Sequence, residues 1–238
     1  MQALDEFIES FLGYGNLRSP LWFLGMEEGG GRDVAELARR VALWDSRGRS
    51  VCEDLAEYHR AMGVGQFFDR GRPKLQPTWC ALMKALQAWR GESYDLDTLR
   101  RVQATELGTS GGATALLELL PLPSPKASDW TYRELATRRG YLADRSSYVS
   151  HVLPRRIGRL HQVVRDAQPK AVVCYGLSYV EHWRAVAGTS LDPVTIGDRQ
   201  CLSARVDRTQ FLIVPHPSRA NATRLWEAIG HQLRATAL

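Results

Sequence analysis

A chain of 238 residues can bury a large core, and one domain spanning 1–238 is the simplest division, since domains usually run to ~100 to 200 residues. It has no apolar run of about 18 residues, and its start, MQALDEFIES, carries acids where a secretory signal is basic, so a soluble cytoplasmic protein with no membrane segment is expected. The net charge of +5 hides an asymmetry: residues 1–119 hold 14 basic and 17 acidic side chains, whereas residues 120–238 hold 17 and 9. Of the 31 basic residues 27 are arginine, which suits bidentate phosphate contacts, although a compositional bias toward arginine gives the same count.

In chain order, DEFIESFLGYG reads as an opening amphipathic helix and PLWFLGM as the first strand, an apolar run of the kind buried on both faces of a parallel sheet. Helical spacing follows over 33–45, a short helix near 51–62, and another helix at about 78–90. Between these last two lies GVGQFFDRGRPKLQPT, a polar loop long enough to line a site. ATALLELLPLP is a second buried strand stopped by prolines, and 128–139 and 145–167 read as helices, with Pro154 beginning or kinking the second. AVVCYG is the third strand, followed by a helix at 177–187. ARVDRTQFLIVPHPS holds a hairpin and the fourth strand, and ATRLWEAIGHQLRAT closes the chain as a helix. Apolar strands alternating with helices predict an α/β fold, a three-layer α/β/α sandwich around a mostly parallel four-stranded sheet, with the ligand site beyond the carboxyl ends of the strands.

Four segments fall on that rim: GMEEGGG, ELLPLPSP, YGLSY and PHPSRAN. Glu27 and Glu28 sit where the first strand leaves the core, and the glycines after them suit either a close approach to a ligand or an ordinary turn. His216 is held between Pro215 and Pro217, with Ser218 placed to cap the next helix; a plain turn histidine also fits. Cys52, Cys80, Cys174 and Cys201 are separated by 28, 94 and 27 positions, which supplies no CxxC ligand pair, so buried free thiols are expected and no metal.

GMEEG and HPS together resemble the two signature loops of the uracil-DNA glycosylase superfamily: glycine, variable residue, acid or amide, variable residue, glycine after the first strand, and histidine-proline-serine after the last. GMEEGG and HPSRAN are most similar to the single-strand-selective monofunctional branch, and the order of segments agrees over roughly residues 20 to 226. The resemblance implies a monomeric DNA glycosylase with no cofactor, which flips out a non-canonical base and hydrolyses its glycosidic bond. It implies Glu27 as the residue that orients water and favours positive charge on the sugar, and His216 as donor to the departing base. Glu28 is a further catalytic candidate, or else a solvated or helix-capping acid. Around the base it implies Gly25 and Met26. Phe67, Phe68 and Trp79 are candidates for the aromatic floor, or else core residues, with Gln76 and Thr78 as weaker candidates. Ser218, Arg219 and Asn221 are placed to meet phosphates.

The chain departs from the pattern in three places. Glu27 and Glu28 stand where one acid or amide and a proline are usual. The intercalating leucine falls on Ala220. The asparagine that reads uracil is replaced by Glu118. Asparagine donates and accepts, whereas an ionised glutamate only accepts, so uracil is a poor match. A protonated Glu118 fits cytosine, and a modified cytosine spares normal DNA, as in defence against phage with modified genomes. The other reading of Glu118 is a solvent-facing residue with the strand register shifted by one.

Two readings from other classes compete. A noncatalytic nucleic-acid-binding module of the same fold accounts for the altered acids. A serine hydrolase is read from Gly176, Leu177 and Ser178, which begin a GxSxG elbow with His216 later in the chain, although Val180 replaces its last glycine and a helix-cap role for Ser178 is the plainer account.

Overall fold

The computed structural model describes residues 2–69, 71–126, 128–218 and 222–236. Its elements run α1 (Gln2–Ser10), β1 (Gly13–Gly15), β2 (Leu21–Gly25), α2 (Val34–Ser46), β3 (Cys52–Glu53), α3 (Leu55–Ala61), α4 (Pro77–Arg90), α5 (Leu96–Thr105) and β4 (Thr114–Glu118). The second half adds α6 (Arg145–Ala167), β5 (Ala171–Tyr175), α7 (Val180–Ala187), β6 (Asp192–Ile196), β7 (Arg199–Val206), β8 (Thr209–Val214) and α8 (Ala222–Thr236).

The fold is α/β with one mixed, mostly parallel sheet, which corrects the expected strand number: among the described residues it has eight strands, in the order β3-β1-β4-β2-β5-β8-β7-β6, rather than four. The four apolar runs read from the sequence are its contiguous centre, β4-β2-β5-β8, with every neighbouring pair parallel. β2 and β5 are buried along their whole length, as expected of strands covered on both faces. Four strands extend the sheet. β1 and β3 have only three and two residues, too few for a hydrophobic period to show. β6 and β7 continue antiparallel from β8, and the predicted hairpin turns at Asp207, whose φ is 51°.

One helix expectation needs correction. Residues 128–139 form no α-helix; short 3₁₀ turns at Arg133–Thr137 and Gly140–Leu142 replace it. Side-chain bonds tie that irregular chain down: Tyr132 donates to the Pro123 carbonyl at 2.6 Å and Trp130 to that of Leu142 at 2.8 Å. The helix expected over 145–167 is α6, capped by Asp144 and carrying Pro154 inside it. α5, unpredicted, is capped by Asp95 and buries Leu99, Val102 and Gln103.

α4 and α8 lie against one another so closely that a Cβ on Gly230 would stand 2.3 Å from the Ala85 carbonyl oxygen. α6 contacts both α1 and α7. The chain first runs from β2 to β4, on one side of β2, and then crosses to β5 on the other. In open parallel sheets that reversal opens a crevice at the carboxyl ends, here between the ends of β2 and β5.

Candidate active site

Gly25 ends β2 at this crevice. A Cβ there would lie 2.3 Å from the Tyr175 hydroxyl and 2.5 Å from Glu118 Oε2, so only glycine leaves room for both groups. The requirement is space, since the backbone of Gly25 is not left-handed. The ladder continues past it: Leu119 N–H donates to the Gly25 carbonyl at 2.9 Å and Leu120 N–H to that of Met26 at 2.7 Å. Met26 itself turns into the hydrophobic core.

Glu118 therefore faces the crevice, and its register is settled: it pairs with Gly25 across the β2–β4 ladder. Its Oε2 is shut off from solvent with no hydrogen-bond partner. Burial, with Glu28 and Glu27 nearby, pushes its carboxyl well above the ordinary carboxylate range. Burial raises the Tyr175 hydroxyl as well, helped by Glu118. From below, Arg156 fixes the end of β4, donating to the carbonyls of Glu118 at 2.8 Å and Leu119 at 3.1 Å. The His216 ring stands edge-on to Tyr175, 5.5 Å between centroids. Its Nδ1 accepts the Ser218 backbone N–H at 3.2 Å and lies 2.9 Å from the Ser218 hydroxyl, an arrangement that places the neutral ring's proton on Nε2.

The two acids of GMEEG are treated differently. Glu27, only 11% exposed, is straddled by Arg145 Nη2 at 2.6 and 2.7 Å, while Arg145 Nη1 is buried without a partner. Glu28 turns the other way. Tyr14 donates to it at 2.6 Å, Arg40 at 2.8 and 3.3 Å, and His59 Nε2 stands 3.0 Å away. Burial alone would raise its carboxyl; Arg40, His59 and Tyr14 together hold it down to about 2. Glu28 is thus neither a solvated acid nor a helix cap, and with both oxygens engaged it has little capacity left for a substrate.

The glycines after Glu28 make a turn. Gly30 and Gly31 have φ of 118° and 68°, and the N–H groups of Gly31 and Arg32 donate to Glu36 at 2.9 and 3.2 Å. Those amides are spent inside the protein.

The long loop brings an aromatic cluster to the same end. His59 lies 5.6 Å from Phe68 and 5.4 Å from Trp79, and Phe67 is 5.7 Å from Trp79. Phe68 is 2% exposed and so packs as core, which leaves the half-buried Trp79 and Phe67 as candidate stacking surfaces. Gln76 caps α4 by accepting from Trp79 N–H at 2.6 Å, so its side-chain oxygen serves the helix. Buried Gln103, from α5, pins the loop by donating to the carbonyls of Phe67 and Lys74 and accepting from Gln76 N–H.

Ser218 is bonded to His216 and precedes α8 by several residues, so it does not cap that helix in the way expected. Arg219, Ala220 and Asn221 lie outside the described residues. Ser178 occupies a regular 3₁₀ turn, Leu177–Tyr179, and the positive φ of 108° falls on Gly176, so the strained serine of a nucleophile elbow is missing. All four cysteines are free. Among the described residues no cluster of three or more His, Cys, Asp or Glu has the geometry to hold a metal ion, and no helix is long and apolar enough to cross a membrane.

Sequence reasoning missed Tyr175, Arg145, Arg40, His59 and Arg156. Tyr175 alone had a signal, as the last residue of an apolar strand. No protein-family model matches the chain, and no curated protein matches it significantly.

Proposed function

We propose that this protein is a monofunctional DNA glycosylase that removes a modified cytosine, acting as a cytoplasmic monomer without metal or organic cofactor and built on the three-layer plan of the uracil-DNA glycosylase superfamily. The observation that carries the proposal is the buried, unpartnered Oε2 of Glu118 beneath Gly25, on a rim shared with Tyr175 and His216. A buried acid without a partner costs stability, and such groups concentrate where a ligand completes them.

A protonated Glu118 offers one donor and one acceptor, the complement of cytosine N3 and its N4 amino group. As the C1′–N1 bond breaks and its electron pair leaves with the base, the Glu118 proton passes to N3, which improves a poor leaving group. His216 Nε2–H donates to the base oxygen where negative charge grows. Glu27 favours positive charge on the sugar, orients the water that adds to C1′ and accepts the proton that this water releases. Arg145 fixes the Glu27 rotamer while offsetting part of its field. Trp79 or Phe67 stacks on the base, Glu28 supports the loop, and the basic second half, including Arg219 and Asn221, meets the phosphates.

The Glu27–Arg145 pair also favours a second reading, a noncatalytic DNA-binding module in which the motif acid has become structural. Mass spectrometry of free bases released from DNAs containing uracil, hypoxanthine, hydroxymethyluracil and plain or modified cytosines separates the two. Release of a modified cytosine supports the glycosylase. DNA binding with no base released from any substrate supports the module.

A further inference from the structure

A second site lies away from this crevice, between α1 and α6, where a cavity of about 490 Å³ is floored by Arg156. Cavities of this volume hold small organic ligands. Arg156 is 2% exposed and has no carboxylate against it; its hydrogen bonds go to the backbone carbonyls of Glu118, Leu119 and, at 3.4 Å, Glu9. A buried cation neutralised only by carbonyl dipoles retains most of its desolvation cost, which an anion in the cavity would relieve.

The acids of the cavity wall do not fill that role. Asp5 is held by Arg139 at 2.6 and 2.7 Å, and Glu9 by Arg155 at 3.3 Å. Exposed Arg159, one helical turn from Arg155 and also lining the cavity, forms no ion pair with a described residue. Two guanidinium groups with no carboxylate partner among the described residues, one buried and one exposed, therefore line the cavity. Ile8, Val152, Tyr141 and His151 complete the wall, and the last two rings stack at 4.2 Å with 14° between planes.

We infer that this cavity binds a free nucleotide, its phosphate between Arg156 and Arg159 and its base against the Tyr141–His151 stack. Guanidinium pairs suit phosphate oxygens, and a stacked aromatic surface accepts a base with little regard to its identity. The inference stands apart from the glycosylase proposal: the two places share only Arg156, which on the crevice side holds the backbone carbonyls of Glu118 and Leu119.

The test is calorimetric titration of the full chain with adenosine monophosphate and, separately, with inorganic pyrophosphate. Saturable one-to-one binding of the nucleotide is expected, weakened about tenfold by Arg159→Ala and about tenfold by Tyr141→Leu, with pyrophosphate sensitive to the first substitution only. Arg159 is exposed and Tyr141 half-buried, and circular dichroism checks that each variant folds. Absence of saturable nucleotide binding to the wild type overturns the inference. So does binding that both variants leave unchanged. Pyrophosphate binding as tightly as the nucleotide, with Tyr141→Leu silent, overturns the nucleotide class. Displacement of the nucleotide by a short single-stranded DNA at equal potency assigns the cavity to a DNA path and overturns the free-ligand inference.

Discussion

Glu28 and Glu118 leave neighbouring parallel strands on one rim, and they are opposites. Glu28 sits in a nest of Tyr14, Arg40 and His59 that satisfies both oxygens; Glu118 sits under Gly25 with one oxygen shut off from water and unpartnered. Burial acts on both carboxyls in the same direction. Arg40 reverses its effect at Glu28, whereas at Glu118 the nearby acids reinforce it. Glu28 is thus locked by its cation while Glu118 forms no ion pair with a described residue, a difference that chain position does not reveal; Glu27, paired with Arg145 alone, stands between them.

Equilibrium unfolding breaks or sharpens the contrast most strongly. Glu28→Gln should cost about 3 kcal/mol at neutral pH, because it leaves buried Arg40 without its counter-charge. Glu28 is held low in the folded chain, so its stabilisation is present above about pH 4.5 and is lost as pH falls toward about 2. Glu118 has the opposite sign. Its folded carboxyl keeps its proton above the unfolded value of 4.5, so its cost grows as pH rises from there until the folded group also ionises. Glu118→Gln should therefore raise the melting temperature at neutral pH and change it little at pH 4. A neutral-pH loss in that variant would mean that Glu118 is paired.

The next largest effect concerns chemistry. Glu27→Gln removes the counter-charge of Arg145 and so costs some stability, but the folded variant should keep DNA binding near normal and slow single-turnover excision by ~10²-fold or more. Loss of excision in a folded Glu28→Gln variant, with Glu27→Gln active, would transfer the role to the nest. The smallest effect is electrostatic: the logarithm of DNA affinity should fall with the logarithm of salt at about 0.9 per phosphate neutralised, and Arg219→Ala should lower that slope by roughly one phosphate. A salt-independent affinity would return the arginines to composition.

The central strands were legible because LWFL, ALL, AVVCY and FLIV are short apolar runs of the kind a sheet covered on both faces buries. The edge strands were not. β1 is GYG, and β6 is mostly exposed and carries Pro193, a residue suited to an edge. α5 hid behind a polar sequence, LDTLRRVQAT, with a single buried amide doing the work of anchoring the loop. At the site, Glu118 was legible as an acid closing an apolar strand. Its partners were not: Arg40 and Arg145 look like ordinary solvent-facing helix positions, and they meet Glu28 and Glu27 only because contacts 12 and 118 residues apart close in the fold.

The central claim, that Glu118 reads the base, is tested most directly by pairing wild type with Glu118→Asn and measuring free base released from hydroxymethylcytosine DNA and from uracil DNA. The account predicts that the wild type releases the modified cytosine and spares uracil, and that the asparagine variant loses the first activity and gains some of the second. Efficient release of uracil by the wild type, unaltered in Glu118→Asn, would contradict it.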